Sequence, residues 1–411
     1  MKRNIIYTLT GLIFFCFFNI QTMYARDYAI QDVNKEIAAF NSMIAKNKPA
    51  DYKTKLTAMK IDPFSFLRAT AHVMIKDIQN SPSLAFLNSA PGGLIHGDLH
   101  VHNFSVLYFR GKKGSYGVDD MDEAHAGKLS WDLFRLCTSL LIASDDPEDH
   151  GLKAAEKMLD SYNDGLEKRS NPDWPDVTFP KFLQNFIEKV VSKDPVEFLN
   201  KYTKGNPRKF MFSSEIKPLP ANEAESFKKT LQSFLTKVAN SGHIPASELE
   251  LHDVVIREGK GLSSIGLSRY FALTKGQIPD GSSGRILEIK EMRPSCIGPS
   301  TLETQARDTI AGFTAAHRDR DIFLGTFVYS NKRFLVRELF PWAKRYEFIN
   351  LEKKEFYKLA EALGAITADF HSAHSKPALM KDWLKKNRKT LLDSVEAYAK
   401  QIRLDWKTFC K

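Results

Sequence analysis

The spacing of apolar residues predicts a chain that is helical toward both ends and β-rich in between. Residues 27–90 and 133–245 carry apolar positions at helical spacing, and a packed helix is predicted over Phe356–Phe370. Short apolar runs separated by Gly, Ser, Asn and Asp predict five strands: Asp253–Arg257, Ser268–Thr274, Arg285–Lys290, Phe323–Tyr329 and Phe334–Leu339. A further helix is predicted at Pro299–His317, between the third and fourth of these strands.

This layout predicts an α+β fold with two lobes, in which a small antiparallel sheet lobe is inserted into a mainly helical lobe. The expected divisions are an N-terminal signal at 1–25, a helical lobe at 26–245, a β-rich lobe at 246–345 and C-terminal helices at 346–411. The last segment is expected to pack on the helical lobe. With 43% hydrophobic and 26% charged residues among 411, the composition excludes a wholly disordered chain, a fibre and a polytopic membrane protein.

The N-terminus has the plan of a secretory signal peptide. Lys2 and Arg3 precede an apolar run from Ile5 to Ile20, and a small residue, Ala25, follows a short polar stretch. The run is shorter than the roughly 20 residues that a membrane-spanning helix needs. We therefore expect residues 1–25 to be removed, leaving a periplasmic or secreted protein without a transmembrane segment.

The charge balance is basic, since Lys and Arg exceed Asp and Glu by 59 − 49 = 10. The basic residues are spread along the chain, with the densest run at Lys385, Lys386, Arg388 and Lys389. Dispersed charge of this kind is typical of exposed helices and gives no specific signal for nucleic acid.

The first candidate site is the run HGDLHVHN, from His96 to Asn103. Asp98 and Asn103 are five residues apart on an expected tight loop. In phosphoryl transfer, an Asp on such a loop accepts the proton of the acceptor hydroxyl, and an Asn five residues later supplies a carboxamide oxygen to Mg²⁺. This spacing therefore fits a phosphoryl-transfer loop.

Four acids follow after an apolar strand end, at Asp119, Asp120, Asp122 and Glu123. Such a cluster repels itself unless a cation or a basic partner lies beside it, although solvated acids on a turn would explain it equally well. Asp132 then opens an apolar helix, and helix capping is a sufficient explanation for that residue.

The histidines of the first run offer a different chemistry. His96, His100 and His102 together with Asp98 also match the ligand set of a metal-dependent hydrolase. Residues two apart on an extended segment face the same side, so His100 and His102 could bind Zn²⁺. This alternative stays open from the residues alone.

The second candidate site is a glycine-rich run, Gly259–Tyr270, between two predicted strands. Its small residues would let backbone N–H groups approach phosphates: Gly261, Ser263, Ser264 and Gly266. The strand that follows ends at Lys290, which could aim an ammonium group at the α- and β-phosphates. Glu303 on the next predicted helix is its possible ion-pair partner.

These motifs resemble the aminoglycoside phosphotransferase and choline kinase branch of the protein-kinase-like fold, with H-G-D-x-x-x-x-N, then I-D-[FW]-[DE]-x-A-x-x-G and D-[LI]. The sequence is more similar still to a bacterial family of unknown function, domain family 2252, with G-D-x-H-x-x-N-F, N-D-F-D-E and W-D-x-x-R-L. The matching positions are Gly97, Asp98, His100, Asn103, Phe104, Asp120, Asp122, Glu123, Trp131, Asp132, Arg135 and Leu136. Asp119 and Met121 stand where that family has Asn and Phe.

The resemblance implies a role for each residue of the two sites. Asp98 would be the catalytic base, Asn103 and Asp120 would be Mg²⁺ ligands, and Asp122 would be a ligand of a second metal. The family also carries G-x-G-S-x-G and x-x-K-E in the same half of the chain. This implies that the glycine-rich loop and Lys290 bind ATP, with Ser263 in place of the second glycine.

The order of the two sites differs from that of ordinary kinases, where the glycine-rich hairpin and its lysine come first. The resemblance therefore implies a circularly permuted kinase-like fold, in which Lys290 and Asp120 lie across one cleft, within roughly 10 Å. The expected function is Mg²⁺-dependent phosphoryl transfer from ATP to an unidentified small-molecule or protein acceptor. A nucleotide-binding pseudokinase without transfer and the metal-dependent hydrolase remain as alternatives.

Overall fold

The computed structural model describes residues 32–107, 114–144, 146–168, 179–241, 244–258, 265–277, 283–316, 321–348 and 351–411. The expected signal segment lies outside these residues, as do Gly261, Ser263 and Ser264 of the glycine-rich loop. Experiments must therefore test the signal segment and the phosphate-binding role of this loop.

The described chain is a mixed α+β structure, mainly helical, with small antiparallel sheets. Its helices are α1 (Val33–Phe40), α2 (Ser42–Asn47), α3 (Pro49–Met59), α4 (Pro63–Ala69), α5 (Ala71–Asn80), α6 (Leu129–Ala143), α7 (Leu152–Lys168), α8 (Lys181–Val191), α9 (Pro195–Tyr202), α10 (Ala221–Ala239), α11 (Leu302–Ala316), α12 (Lys353–Ser372) and α13 (Pro377–Cys410). Its strands are β1 (Gly92–Ile95), β2 (Phe104–Leu107), β3 (Ser115–Val118), β4 (His125–Lys128), β5 (Thr203–Lys204), β6 (Lys209–Phe210), β7 (Ile216–Pro218), β8 (Leu251–Arg257), β9 (Arg269–Gln277), β10 (Ser283–Glu291), β11 (Gly325–Tyr329) and β12 (Lys332–Glu338).

The largest sheet in the described part of the chain has six antiparallel strands in the order β11-β12-β10-β9-β8-β7. All five predicted strands lie in it, and β7 is an edge strand that the sequence reading missed. The β11–β12 turn places Ser330 and Asn331 at φ of 47° and 60°. Positive φ at both central turn residues matches the twist of a two-residue hairpin, which explains the polar residues there.

The sheet unit begins earlier than the expected boundary at residue 246. Helix α10 buries Phe227, Leu231 and Leu235 against the sheet, because these residues recur every four positions along one helical face. Helix α11 lies within the expected β-rich segment but packs on the helical part, where Phe313 and Ala316 join its core. The division at 246–345 therefore needs correction at both points.

The helical core is built around α6, which is buried along almost its whole length. Helices α7 and α12 approach each other closely at Gly364, where a Cβ atom would collide with the backbone carbonyl of Met158. The long helix α13 adds Leu391, Val395 and Tyr398 to this core. Helices α12 and α13 therefore pack against the same core as α6 and α7.

Two small two-stranded antiparallel sheets hold the candidate loops next to each other. In one, β1 pairs with β4 and Ile95 lies opposite His125; in the other, β2 pairs with β3 and Phe104 lies opposite Val118. The loop from β1 to β2 and the acidic loop from β3 to β4 therefore lie side by side, with the start of each next to the end of the other.

Candidate functional site

Asp98 lies on the loop between β1 and β2 and is held by a buried arginine. Arg135, on α6, is 1% exposed and donates from Nε to Oδ1 of Asp98 at 2.5 Å. It also donates from Nη2 to the carbonyl of Leu67 at 2.8 Å. Burial raises the pKa of Asp98, and the charge of Arg135 opposes that rise. One carboxylate oxygen is thus fixed, while Oδ2, 3.9 Å from Nε2 of His100, remains for a ligand.

Asp132 holds the backbone of the same loop. It lies in the first turn of α6, where its Oδ2 accepts from the backbone N–H of His96 at 2.6 Å and its Oδ1 accepts from that of Gly97 at 2.9 Å. His371, at the end of α12, lies 3.1 Å from the same Oδ2 through Nε2. Helix capping, the sequence explanation for Asp132, is therefore wrong: its carboxylate caps the Asp98 loop and not its own helix.

Asn103 is oriented by the chain itself. Its amide nitrogen donates to the carbonyl of Asp98 at 2.8 Å, so its amide oxygen is the atom left for a ligand. Its own backbone carbonyl accepts from the N–H of Asp119 at 2.8 Å, which ties the Asp98 loop to the acidic loop. Both loops are therefore parts of one rigid arrangement.

Lys290 of β10 meets the acidic loop directly. Its Nζ lies 3.5 Å from Oδ1 of Asp120 and makes a direct hydrogen bond to Oδ2 of Asp122. The expectation that Lys290 and Asp120 lie across one cleft, despite 170 positions of separation, is confirmed. Asp120 has the left-handed φ of 64°, which is a strained backbone for a residue other than glycine.

The charges of this group depend on one another. Burial favours the neutral form of each carboxyl, but Lys290 and Arg345 together lower the pKa of Asp120. The pKa of Asp122 is raised, because burial and the charge of Asp120 outweigh the attraction of Lys290. The two carboxylates raise the pKa of Lys290 despite its burial. The ammonium is thus the charge that permits two acids to share the site.

Asp119 links the acidic loop to the sheet on the other side. Its Oδ1 accepts from Nη1 of Arg337 at 3.1 Å and its Oδ2 accepts from the hydroxyl of Ser105 at 3.0 Å. Its carbonyl lies 2.9 Å from Nε2 of His96. Asp119 stands where the family motif has Asn, and its carboxylate therefore gains an ion pair with Arg337 of β12.

Glu123 docks the segment that follows β10. Its carboxylate accepts from Nη2 of Arg293 at 2.8 Å, from the hydroxyl of Ser295 at 3.0 Å and from the backbone N–H of Cys296 at 2.7 Å. Although burial acts in the opposite direction, these partners lower the pKa of Glu123. This contact fixes the sheet against the acidic loop, so the cleft has defined walls.

Gln305 on α11 completes the acidic loop and had no signal in the sequence. Its Nε2 donates to the carbonyl of Asp122 at 2.7 Å and to that of Ala124 at 3.2 Å. Glu303, the expected partner of Lys290, is exposed instead, and within the described chain the ion pairs of Lys290 are those to Asp120 and Asp122. Helix α11 therefore presents the amide of Gln305 to the site, and not the carboxylate of Glu303.

The cleft between the loops and the sheet is lined by Asp98, Asp120, Asp122, Leu267, Met292 and Arg293. Gly266, at the end of the glycine-rich run, has φ of +94° and packs against Ile44 of α2. Phe40 of α1 lies under the guanidinium of Arg293, 4.9 Å from ring centroid to Cζ. The two N-terminal helices therefore contact both strand connections that border the cleft.

A family model of uncharacterised proteins conserved in bacteria, DUF2252, matches residues 47–411. The chain belongs to this family. No curated protein and no solved structure matches it. Helices α1 and most of α2 precede the matched region, so their contacts with the cleft lie outside the DUF2252 model.

In this DUF2252 chain the histidine cluster does not assemble as metal ligands. Both ring nitrogens of His96 contact backbone, Nε2 at the carbonyl of Asp119 and Nδ1 at the N–H of Asp98. Nε2 of His102 lies 3.9 Å from Oε2 of Glu347, whereas Nε2 of His100 lies 3.9 Å from Oδ2 of Asp98. The two imidazoles therefore face different carboxylates. Among the described residues, the group whose His, Cys, Asp or Glu ligand atoms converge is a surface set, Asp146, Asp149 and His150.

Proposed function

We propose that this DUF2252 chain is an ATP-dependent phosphotransferase with a circularly permuted kinase-like fold. The observation that carries the proposal is the meeting of Lys290 with Asp120 and Asp122, in a cleft that Asp98 also lines. A lysine at a sheet edge, a metal-binding acid and a loop Asp are the parts that phosphoryl transfer requires around a nucleotide.

The contacts of α12 support the permuted arrangement. In the ordinary kinase order, the helix corresponding to α12 would lead into the catalytic loop. Here His371, at the end of α12, contacts Asp132, which in turn holds the backbone of the Asp98 loop. The helix thus meets the loop in space although it follows it in the chain.

Asp98 is proposed as the general base. Arg135 holds Oδ1, so Oδ2 is the atom that would accept the proton of the acceptor hydroxyl. The raised pKa of Asp98 favours this task, because a base with a higher proton affinity removes a hydroxyl proton more readily. The tether from Asp132 keeps the loop in place while the proton moves.

Asn103 and Asp120 fit Mg²⁺ by the chemistry and orientation of their oxygens. The amide of Asn103 is turned by its bond to the carbonyl of Asp98, and Asp120 presents its carboxylate from a strained backbone. When bound, the ion would neutralise phosphate charge. Lys290 would contact the phosphates, and the glycine-rich hairpin would cover them.

The proposal is tested by nucleotide binding and turnover of two variants. Lys290→Ala should weaken Mg²⁺–ATP binding by about tenfold to a hundredfold, measured by calorimetry, because one charged phosphate contact is lost. Lys275→Ala, an exposed lysine of β9 paired with Glu250, is the matched control and should bind as the wild type does. Equal affinities in wild type and Lys290→Ala would contradict the proposed cleft.

Asp98→Asn separates transfer from binding. Because Asp98 would touch the acceptor and not ATP, this variant should bind nucleotide normally while turnover falls about 10²–10⁴-fold. The ion pair that Arg135 makes with Asp98 favours a second candidate, a pseudokinase that binds nucleotide without transfer. If the protein is a pseudokinase, Asp98→Asn would have no phenotype, while Lys290→Ala would still bind Mg²⁺–ATP more weakly than the wild type.

We also propose that the protein is exported and processed after Ala25, since its first residues have the plan of a signal peptide. Across the described residues, none of the helices is both long and apolar enough to span a membrane. Mass spectrometry of protein made in a secretion-competent bacterium should find a mature N-terminus near Arg26. An intact Met1 on cytosolic protein would contradict export.

A further inference from the structure

Two arginines lie near Asp98 outside the ion pairs described above. Arg68, on α4, lies one helical turn after Phe64, whose ring is edge-on to His100 and His102, and its charge acts on Asp98 and Asp120. It makes no ion pair with any described residue, and its buried Nε has no hydrogen-bond partner there. Arg345 follows β12, and its Nη2 lies 3.5 Å from Oδ2 of Asp120. Both guanidinium groups therefore retain donors for a ligand.

Aromatic and imidazole rings stand beside these arginines. The ring of Phe64 lies edge-on to His102 and to Phe348, at centroid distances of 5.0 Å and 5.5 Å. His100 is only 2% exposed, yet its Nδ1 has no hydrogen-bond partner among the described residues. The buried Nε2 of His102 has no hydrogen-bond partner there either. Buried polar atoms without partners are costly, so a polar ligand at this place would stabilise the region.

The acids in this region do not neutralise Arg68. Asp98 is held by Arg135, and Asp62 accepts from the N–H and the hydroxyl of Ser65 as the cap of α4. Glu347 lies 3.9 Å from His102 but is 74% exposed. Burial, reinforced by the charge of Arg345, lowers the pKa of Arg68, and the opposing charges of the nearby acids do not offset this effect.

This basic group is separate from the one expected to bind ATP. Nζ of Lys290 lies 3.5 Å from Oδ1 of Asp120, whereas Nη2 of Arg345 lies 3.5 Å from Oδ2 of the same carboxylate. The charges that act on Arg68 are Arg345, Asp98, Asp120 and Asp62. Asp98 and Asp120 thus lie between a nucleotide side and a second, arginine-rich side.

We propose that the phosphoryl acceptor carries an anionic group, a phosphate or a carboxylate, close to its reacting hydroxyl, and that Arg68 and Arg345 bind that group. The inference rests on the proposed function, because it assigns the second side of the cleft to the acceptor. Guanidinium groups suit this role, since they present paired donors to phosphate and carboxylate oxygens. A cationic amino-sugar, repelled by both arginines, is correspondingly a poor acceptor.

Three small alcohols that share a 1,2-propanediol unit and differ at the third carbon test the charge preference: glycerol, glycerol 3-phosphate and 3-amino-1,2-propanediol. Each is titrated calorimetrically into the full chain with Mg²⁺, with and without a saturating non-hydrolysable ATP analogue that fills the γ-phosphate position. Glycerol 3-phosphate should bind measurably tighter than the neutral and the cationic compound. Equal binding of the three compounds, or preference for the amine, would overturn the proposal.

Arg68→Gln and Arg345→Gln locate the binding site. Each should weaken glycerol 3-phosphate binding by about tenfold or more, as expected for losing a charge-assisted contact. Lys275→Gln, which changes an exposed lysine of β9 paired with Glu250, should bind the ester as the wild type does. A loss of ATP-analogue affinity as large as the loss of ester affinity would place the arginines on the nucleotide and overturn the proposal. Melting temperatures of the variants exclude misfolding as the cause.

The same titrations separate this proposal from the proposed function. Arg68-dependent binding of the ester in a chain that binds no nucleotide would keep the anion site and reject the phosphotransferase. Nucleotide binding without any Arg68-dependent ester binding would do the reverse. Phosphatidylglycerol vesicles are tested in parallel, and binding that Arg68→Gln abolishes for vesicles but not for the soluble ester would identify the anion as a lipid headgroup.

Discussion

The ammonium group of Lys290 lies where two carboxylates, Asp120 and Asp122, converge. Two acids at this distance repel each other, and the strained backbone of Asp120 adds to the cost of the arrangement. A lysine that offsets this repulsion also competes with any metal ion for the same oxygens. Its removal should therefore change metal affinity and nucleotide affinity in opposite directions.

Lys290→Met should bind Mg²⁺ more tightly than the wild type in the absence of nucleotide, because the carboxylates lose their internal counter-charge. The same variant should bind Mg²⁺–ATP more weakly, through the lost phosphate contact. Isothermal calorimetry measures both affinities, with Lys275→Met as the control. Tighter binding of both ligands, or weaker binding of both, would show that Lys290 does not occupy the metal position.

Lys55 predicts a measurable pH dependence of stability. Burial, with a smaller contribution from the charge of Arg293, lowers the pKa of this 1% exposed lysine to about 7, while its Nζ donates to Oδ1 of Asn41 at 2.8 Å. An unfolded lysine titrates near 10.4, so between about pH 7 and 10 the unfolded chain binds more protons than the folded one. The contribution of Lys55 to the free energy of unfolding must therefore rise with pH in this window.

The comparison is with Lys55→Met, which keeps the length of the side chain and removes the titration. The free energy of unfolding of the wild type minus that of the variant should increase by up to about 1.4 kcal/mol per pH unit above pH 7. Urea unfolding at pH 6, 7.5 and 9 measures this difference, and other titrating groups cancel. A difference that stays constant or falls with pH would mean that Lys55 is charged in the folded state.

Candidate site residues were predictable from the sequence where a motif fixes their spacing. They were harder to predict where contacts between distant parts of the chain determine their role. Asp98 and Asn103 are placed by one short loop, and their hydrogen bond follows from five-residue spacing. The role of Asp132 depends on a loop 35 positions away, which no local pattern encodes. Gln305 faces the site in place of the predicted Glu303, because two positions along a helix rotate the side-chain direction by about half a turn.

At the scale of elements, the strands bounded by turn residues were predicted well and the packing between helices was not. The β11–β12 hairpin carries its own signal in Ser330 and Asn331. The close crossing of α7 and α12 depends on a small residue on each helix, Gly165 on α7 and Gly364 on α12. Close approach of two backbones cannot be deduced from either helix alone.

Gly364→Ala should destabilise the protein by about 1–3 kcal/mol, because the added methyl group meets the backbone of Met158 and forces the helices apart. Gly92→Ala is the control: its Cβ would meet the carbonyl of Gly127 at 3.6 Å, which is ordinary van der Waals contact. Chemical denaturation compares both with the wild type. Equal stabilities of the two variants would show that α7 and α12 do not pack as closely as described.

At the scale of the whole molecule, the roles implied by the resemblance predicted that Lys290 and Asp120 meet, whereas the N-terminal helices gave no sign of their position. The cross-cleft contact of Lys290 with Asp120 followed from the chemistry assigned to each. Nothing in the apolar pattern of α1 and α2 indicates that α1 contacts Arg293 and that α2 contacts Gly266. Their contacts join the start of the chain to the sheet on one side of the cleft.

The contact of Ile44 with Gly266 allows this docking to be measured. Gly266→Ala should destabilise the chain for two reasons, the positive φ of +94° and a Cβ only 2.6 Å from Cγ2 of Ile44. Ile44→Ala removes the second reason but not the first, so Gly266→Ala should cost less in the Ile44→Ala background. For residues in contact, the coupling should be about 0.5–3 kcal/mol in a double-mutant cycle of unfolding free energies. Additive effects would mean that α2 does not pack against Gly266 in solution, and that the N-terminal helices leave this side of the cleft open.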